Sequence, residues 1–389
     1  MCTVLVRPQC LEPALYLPDA FCDGGPRLAS IQNAPQLETP VKPLSAILAG
    51  LAGALFMAAP ATDQVADVVE EKTGRRHRVH DWHSLPAIPE DAALPALGAM
   101  RQRGVSEALP YLELGTGAVE VALRGYTEGK RATLEVRSAD RRFAVKAFSQ
   151  PPELDARLYA ALAGGSGVIH IPRLAGYDPE LRVLTIEWLE GPTLSSAIKS
   201  GQGRRAGELA AAWIHGARDL RVTFGPHLGA ESMLAKAYKW ADGLGAADQA
   251  LGVAASAVAR RLVASQPVEG ATQLLHGSLY DRHLLDMGDG PGLIDWDCFG
   301  QGPAEVDAAV FLSVVRRGAL HRARQEAAAQ ATDAFLACTA GVFDARVLAW
   351  HQAVNLLRLA HKKTRRTEDN ALATAQPLLD EAARLAASV

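Results

Sequence analysis

The segment Leu275-His-Gly-Ser-Leu-Tyr-Asp-Arg-His-Leu-Leu285 brings a hydroxyl, a carboxylate and two imidazoles together, and Gly292-Leu-Ile-Asp-Trp-Asp297 adds two carboxylates shortly after. Carboxylates and imidazoles are the side chains that move protons or hold cations near neutral pH. Ser278 is of another kind: its hydroxyl is not a base at neutral pH without a partner. Asp281 supplies a carboxylate three residues later. The His283 imidazole can bind a metal, although Mg²⁺ prefers hard oxygen ligands. Asp295 follows an apolar Gly-Leu-Ile run, so a strand there projects its carboxylate from the strand end toward a cleft. The other reading is a solvent-facing turn carboxylate beside Asp297.

Such side chains need elements to hold them. Val119-Glu-Val-Ala-Leu123, Ala132-Thr-Leu-Glu-Val136 and Phe143-Ala-Val-Lys-Ala-Phe148 each alternate apolar and polar residues. The turn-rich Gly125-Tyr-Thr-Glu-Gly129 and Ala139-Asp140 separate them, which predicts an antiparallel three-strand meander. Pro151 and Pro152 stop the sheet and open a helix over Glu153 to Leu162. Two further strands are expected near Arg173–Tyr177 and Arg182–Trp188. Beyond Gly191 the chain is expected to be mostly helical, with short strands near His283–Asp286 and Gly292–Asp295. A helix over Ala308 to Val315 is a further expectation, with Asp307 as a candidate N-cap. Strands first and helices after define an α+β fold of two lobes, a small β-rich one and a larger helical one.

The three blocks Leu275–Leu285, Gly292–Asp297 and Gly302-Pro-Ala-Glu-Val-Asp-Ala-Ala309 together resemble the aminoglycoside phosphotransferase/choline kinase superfamily, whose fold is protein-kinase-like. The loop of that family reads His-Gly-Asp-Leu-His-Pro-x-Asn, followed by Ile-Asp-Trp/Phe-Glu/Asp and Gly-x-Pro-x-x-Asp-Leu-Ala. The resemblance covers roughly Val119 to Ala360. It implies phosphoryl transfer, in which ATP and Mg²⁺ are held and a nucleophile is aligned for in-line attack. It places Ser278 at the catalytic aspartate position and His283 at the metal-binding asparagine position. Asp281 then stands as a substitute base or metal ligand, against a plain solvated turn aspartate. Asp295 becomes a metal ligand, and Asp307 a brace for the loop backbone as an alternative to an N-cap.

The same resemblance makes Lys146 the strand lysine that contacts the nucleotide phosphates. Asp155 is its expected acidic partner, with Glu153 the rival. Tyr126 to Arg131 is similar to the glycine-bearing hairpin over the phosphates. In Thr185-Ile-Glu-Trp-Leu-Glu-Gly-Pro-Thr-Leu194, the backbones of Glu187 and Leu189 would face adenine. The chain is thus expected to be an ATP- and Mg²⁺-dependent phosphotransferase acting on a small-molecule hydroxyl or amine. The alternative is a nucleotide-binding pseudokinase, because two positions of one loop have changed.

Bulk composition narrows the rest. The 389 residues carry 40 basic and 43 acidic side chains, a net charge of −3, which gives no electrostatic case for nucleic acid or a membrane surface. A nucleotide and a small-molecule acceptor remain the expected partners. The 5 cysteines show no metal-ligand spacing and point to a reducing cytoplasm. The expected organisation is a disordered tail over 1–42, an apolar Ala/Gly-rich helix over 43–61, a nucleotide-covering lobe over 62–190 and a helical lobe over 191–389. Within the 43–61 segment, Pro43 to Ala59 also resembles a signal-peptide core, an export reading that conflicts with the use of cytosolic ATP.

Overall fold

The computed structural model describes residues 86–163, 167–364 and 371–389. The expectations for 1–42 and 43–61, and for the first part of 62–190, lie outside the described residues. Alternation becomes a five-stranded antiparallel sheet. Its strands are β1 (Glu120–Thr127), β2 (Arg131–Arg137), β3 (Arg142–Phe148), β4 (Leu174–Asp178) and β5 (Val183–Glu187), in the order β1-β2-β3-β5-β4. Successive side chains of a strand point to opposite faces. Ala132, Leu134 and Val136 therefore share one face with Phe143, Val145 and Ala147. That face is covered by helices α1 (Pro95–Arg103) and α2 (Val105–Ala108) through Leu94, Leu97, Met100 and Leu109. The two helices were not anticipated, since the residues before Val119 carry little charge contrast to set their period.

The opposite face carries Arg131, Thr133, Glu135 and Lys146, with Thr133 directly across from Lys146. Helix α3 (Glu153–Leu162) follows, as expected from its two prolines. Leu158, Tyr159 and Leu162 join Leu184 and Ile186 in a second buried cluster that runs on into the helical lobe. The sheet thus presents one face to its own small core and the other to the cleft. A β2 or β3 side chain's parity decides which of the two it meets.

The helical lobe contains α4 (Leu194–Lys199), α5 (Gly203–Gly216), α6 (Ala230–Ala247), α7 (Gln249–Ala264), α8 (Glu305–Gly318), α9 (Gln325–Cys338), α10 (Ala345–Thr364) and α11 (Ala371–Ala387). Two short ribbons interrupt it: β6 (Gln273–Leu275) pairs with β9 (Gly300–Gly302), and β7 (Leu284–Asp286) with β8 (Pro291–Leu293). The β7–β8 ribbon lies where expected. The β6–β9 ribbon was not foreseen, because three-residue strands are too short to show alternation. Among the described residues no helix is long and apolar enough to cross a membrane. The architecture is the expected α+β arrangement of a β-rich lobe and a helical lobe.

Candidate active site

The loop after β6 is held from below. Asp307, in the first turn of α8, accepts hydrogen bonds from the backbone N–H of His276 (2.8 Å) and Gly277 (2.9 Å) and from Trp213 Nε1 on α5 (3.1 Å). It does not cap a helix. Helix α8 begins at Glu305, and Ala304 occupies the cap position without a side-chain bond. The N-cap expectation is corrected accordingly: the carboxylate turns inward because three donors converge there. Burial raises the Asp307 carboxyl above its ordinary range, against the pull of His276 and these donors. Gly277 has φ +72°, and a Cβ there would run into the carbonyl of Cys298. Only glycine suits both conditions.

Hydrogen bonding then fixes the two loop imidazoles. His276 Nε2 donates to the carbonyl of Ile294 (2.9 Å), so its Nδ1 is an acceptor, and the Ser278 hydroxyl donates to it across 3.2 Å. Burial lowers the His276 pKa, which keeps the ring neutral. His283 Nδ1 donates to the carbonyl of Ser278 (2.8 Å), which leaves the Nε2 lone pair 3.3 Å from Asp295 Oδ2. Burial pushes the His283 imidazole down to about 3, although Asp295 pulls the other way. Ser278 is only 2% exposed. The Asp281 carboxylate, half-buried, makes no hydrogen bond or ion pair among the described residues, while its backbone carbonyl accepts from Ser195 N–H (2.9 Å).

Across the cleft, Lys146 Nζ reaches Asp295 Oδ1 (3.0 Å) and Asp297 Oδ1 (2.5 Å). Asp295 sits at φ +65°, a left-handed conformation that aspartate tolerates better than most residues. This twist brings two carboxylates two residues apart onto one ammonium. Burial by itself lowers the Lys146 pKa, but Asp297 and Asp295 overcome it and raise the value. Burial likewise acts to raise Asp295, and Lys146, His283 and Arg131 outweigh it and hold that carboxyl well below its usual range. Arg131 of β2 completes the cluster through an ion pair with Asp297 Oδ2, whose charge raises the guanidinium pKa.

These bonds change one expectation. The hydrogen bonds and ion pairs of Lys146 run to Asp295 and Asp297 rather than to Asp155. Asp155 is buried in the first turn of α3, and its charge acts on Arg131. Asp297 and Arg131 were not singled out. An Asp-x-Asp spacing at a strand end was the available signal for Asp297. The hairpin between β1 and β2 is also anchored from outside the motif: Asp91 Oδ2 accepts from Gly129 N–H (2.8 Å) and from the Tyr126 hydroxyl (3.0 Å). No sequence pattern marked Asp91.

At the other end of the cleft, Glu187 N–H donates to the Arg173 carbonyl (2.9 Å) and Trp188 N–H to the Arg142 carbonyl (3.0 Å). Leu189 N–H makes no hydrogen bond among the described residues. Of the two residues expected at the hinge, Leu189 has the backbone N–H without a hydrogen bond among the described residues, and the N–H of Glu187 is already engaged. Leu189 and Met287 close over Gly292, where a Cβ would press on both side chains. Together they form an apolar surface around Gly292.

The fit to a metal is partial. Among the described residues no group of three or more His, Cys, Asp or Glu side chains could hold an ion. Asp295 Oδ2 and His283 Nε2 supply two donors, so phosphate oxygens and water would have to complete the shell, as is usual for Mg²⁺ with nucleotides.

The fold has close counterparts among solved structures. The aminoglycoside phosphotransferase APH(4)-Ia superposes with a TM-score of 0.56 at 13% identity, covering 74% of this chain and 99% of that one. A choline/ethanolamine kinase family protein from Mesorhizobium loti gives a TM-score of 0.51 at 14% identity, over 75% and 98%. A thermostable mutant of APH(4)-Ia, in ternary complex with ADP and hygromycin B, gives 0.54 at 14%, over 71% and 97%. No curated protein sequence matches the chain. The profile of the phosphotransferase enzyme family matches residues 123–342, more than half of the chain, and so spans the sheet, the loop around Ser278 and the Asp295–Asp297 turn. The chain belongs to the phosphotransferase enzyme family.

Proposed function

We propose that this protein binds ATP with a divalent cation in the cleft between its lobes and transfers the γ-phosphoryl group to a hydroxyl or amine of a small molecule. One observation carries the reading: Lys146 from the sheet and Asp295 from the helical lobe meet at 3.0 Å, with Asp297 and Arg131 beside them. Phosphoryl transfer asks a protein for positioning and for charge opposite the phosphates more than for covalent chemistry. Lys146 and Arg131 supply the positive charge. Asp295 and His283 would hold the cation, which neutralises phosphate charge when bound. Leu189 N–H and the Glu187 carbonyl face the place of the adenine edge. The apolar surface of Leu189 and Met287 suits a flat base. Structures of this fold hold ADP with an aminoglycoside, which supports a nucleotide and a small acceptor here. Use of ATP fits a cytoplasmic protein.

The loop decides how fast transfer runs. Ser278 has no carboxylate, and its hydroxyl is turned to His276. Asp281 offers a carboxylate without a competing bond, and it takes the base role in this reading. General-base assistance is worth about 10²–10⁴-fold. A second reading, a nucleotide-binding pseudokinase, is favoured by the burial of Ser278. The two part on a direct experiment. ATP with a divalent cation raises the melting temperature in both, by linkage; no rise sinks both. Slow ATP turnover, measured as ADP release, should fall by about 10²-fold or more in Asp281→Asn and persist in Ser278→Ala. Turnover absent from the wild type, with binding intact, leaves the pseudokinase reading.

A further inference from the structure

The pair His283 and Asp295 has the spacing of two ligands of one metal ion. His283 Nδ1 faces the Ser278 carbonyl (2.8 Å), which turns Nε2 toward Asp295 Oδ2 at 3.3 Å. The second oxygen of Asp295 is already engaged by Lys146 at 3.0 Å. Two ligand atoms each about 2.1 Å from one metal, at an angle of about 90–110°, stand roughly 3.0–3.4 Å apart. The observed separation falls in that interval. Both donors are held from behind: the ring by Ser278 and by the Tyr280 ring at 5.1 Å, and the carboxylate by Lys146. Bracing of this kind is what orients a ligating histidine.

Resting on the nucleotide-binding reading above, we propose that His283 makes this a mixed nitrogen–oxygen metal site that selects a borderline transition-metal ion of the Mn²⁺, Co²⁺ or Zn²⁺ kind over Mg²⁺. Mg²⁺ is a hard cation that takes oxygen ligands and loses its waters reluctantly. Imidazole suits the later first-row ions. The protein supplies Nε2 and Oδ2, and the nucleotide phosphates and water supply the rest. This completion is needed because no group of three or more His, Cys, Asp or Glu side chains among the described residues is placed to hold an ion. The site is therefore built when nucleotide arrives.

Calorimetric titration of Co²⁺ and of Mg²⁺ into the protein saturated with a non-hydrolysable ATP analogue tests this. All divalent transition ions bind nucleotides better than Mg²⁺ does, so the decisive quantity is the change in the Co²⁺:Mg²⁺ affinity ratio on substitution. His283→Asn should lower that ratio by about tenfold or more. In the wild type, diamagnetic Zn²⁺ should displace the ring-proton resonances of His283, while Mg²⁺ should leave them in place. Should His283→Asn not fold, His283→Gln serves for the ratio, and the resonance shift in the wild type stands without any variant. An unchanged ratio together with unshifted His283 resonances overturns the metal preference while leaving nucleotide binding intact. Failure of the analogue to bind at all, with either ion, overturns the nucleotide reading and the metal site with it.

Discussion

Replacing Lys146 with alanine should abolish the rise in melting temperature that nucleotide is expected to give, and should destabilise the nucleotide-free protein by about 3 kcal/mol. The first effect follows from charge, since the ammonium is the buried cation that the proposed function sets opposite the phosphates. The second follows from what remains. Lys146 is almost wholly buried, and its loss takes the shared ammonium from both Asp295 and Asp297. Breaking a buried pair by removing one partner costs about 3–5 kcal/mol. The lower end applies because the Asp295 side chain is 33% exposed and Arg131 still serves Asp297. Differential scanning fluorimetry with and without nucleotide reads the first effect, and denaturant titration the second. A Lys146→Ala protein that still responds to nucleotide removes the cluster from the site.

The same cluster has a pH signature. Asp295 is held below its unfolded pKa, so its pairing contributes stability above the ordinary carboxylate value of about 3.9. That contribution fades as pH falls through the lower, folded value. The wild type should therefore lose stability on acidification in this range more steeply than Lys146→Ala, whose Asp295 has lost the ammonium that helped to depress it. Parallel acid limbs for the two proteins would contradict the pairing.

Asp307→Ala should unfold or severely destabilise the protein, and Asp307→Asn should do so far less. Alanine leaves three buried N–H donors without an acceptor: those of His276, Gly277 and Trp213. Each orphaned donor costs about 1–3 kcal/mol. Asparagine keeps one carbonyl oxygen, which can stand where Oδ2 accepts from His276 and Trp213. Its amide then meets only the Gly277 N–H, so about one donor is orphaned. Equal destabilisation by the two variants would mean that charge, rather than donor satisfaction, is what Asp307 provides. The folded fraction of either variant should still respond to nucleotide, which separates a brace for the loop from a residue at the phosphates.

Local chemistry made part of this site legible. The strands β2 and β3 were readable because Ala132, Leu134 and Val136 share one buried face with Phe143, Val145 and Ala147, which forces a period of two. Lys146 stood out as the charge in an alternating strand. The turn carrying Asp295 stood out for its apolar approach, and Asp307 for its place in the third block. Residues 275–309 announced their family because short loops that hold phosphates and metals restrict residue type at nearly every position. The absence of a carboxylate at Ser278, and the imidazole at His283, were equally plain in the sequence.

What remained hidden depends on distance along the chain. Lys146 and Asp295 are 149 residues apart, and Arg131 and Asp297 are 166 apart, so no local pattern joins them. The left-handed backbone at Asp295 and the meeting of Asp297 with the same ammonium are visible only in the folded chain. Asp91 anchors a hairpin nearly forty residues ahead of it, and the β6–β9 ribbon is too short to have a pattern. The sequence by itself determined the fold, the family and the identity of the altered loop residues, because these rest on periodicity and on short motifs. Tertiary structure alone decided which charges neutralise one another, which partner each ring nitrogen of the loop histidines meets and which way Ser278 points, because buried charges and donors are satisfied by whatever groups folding brings within about 3 Å.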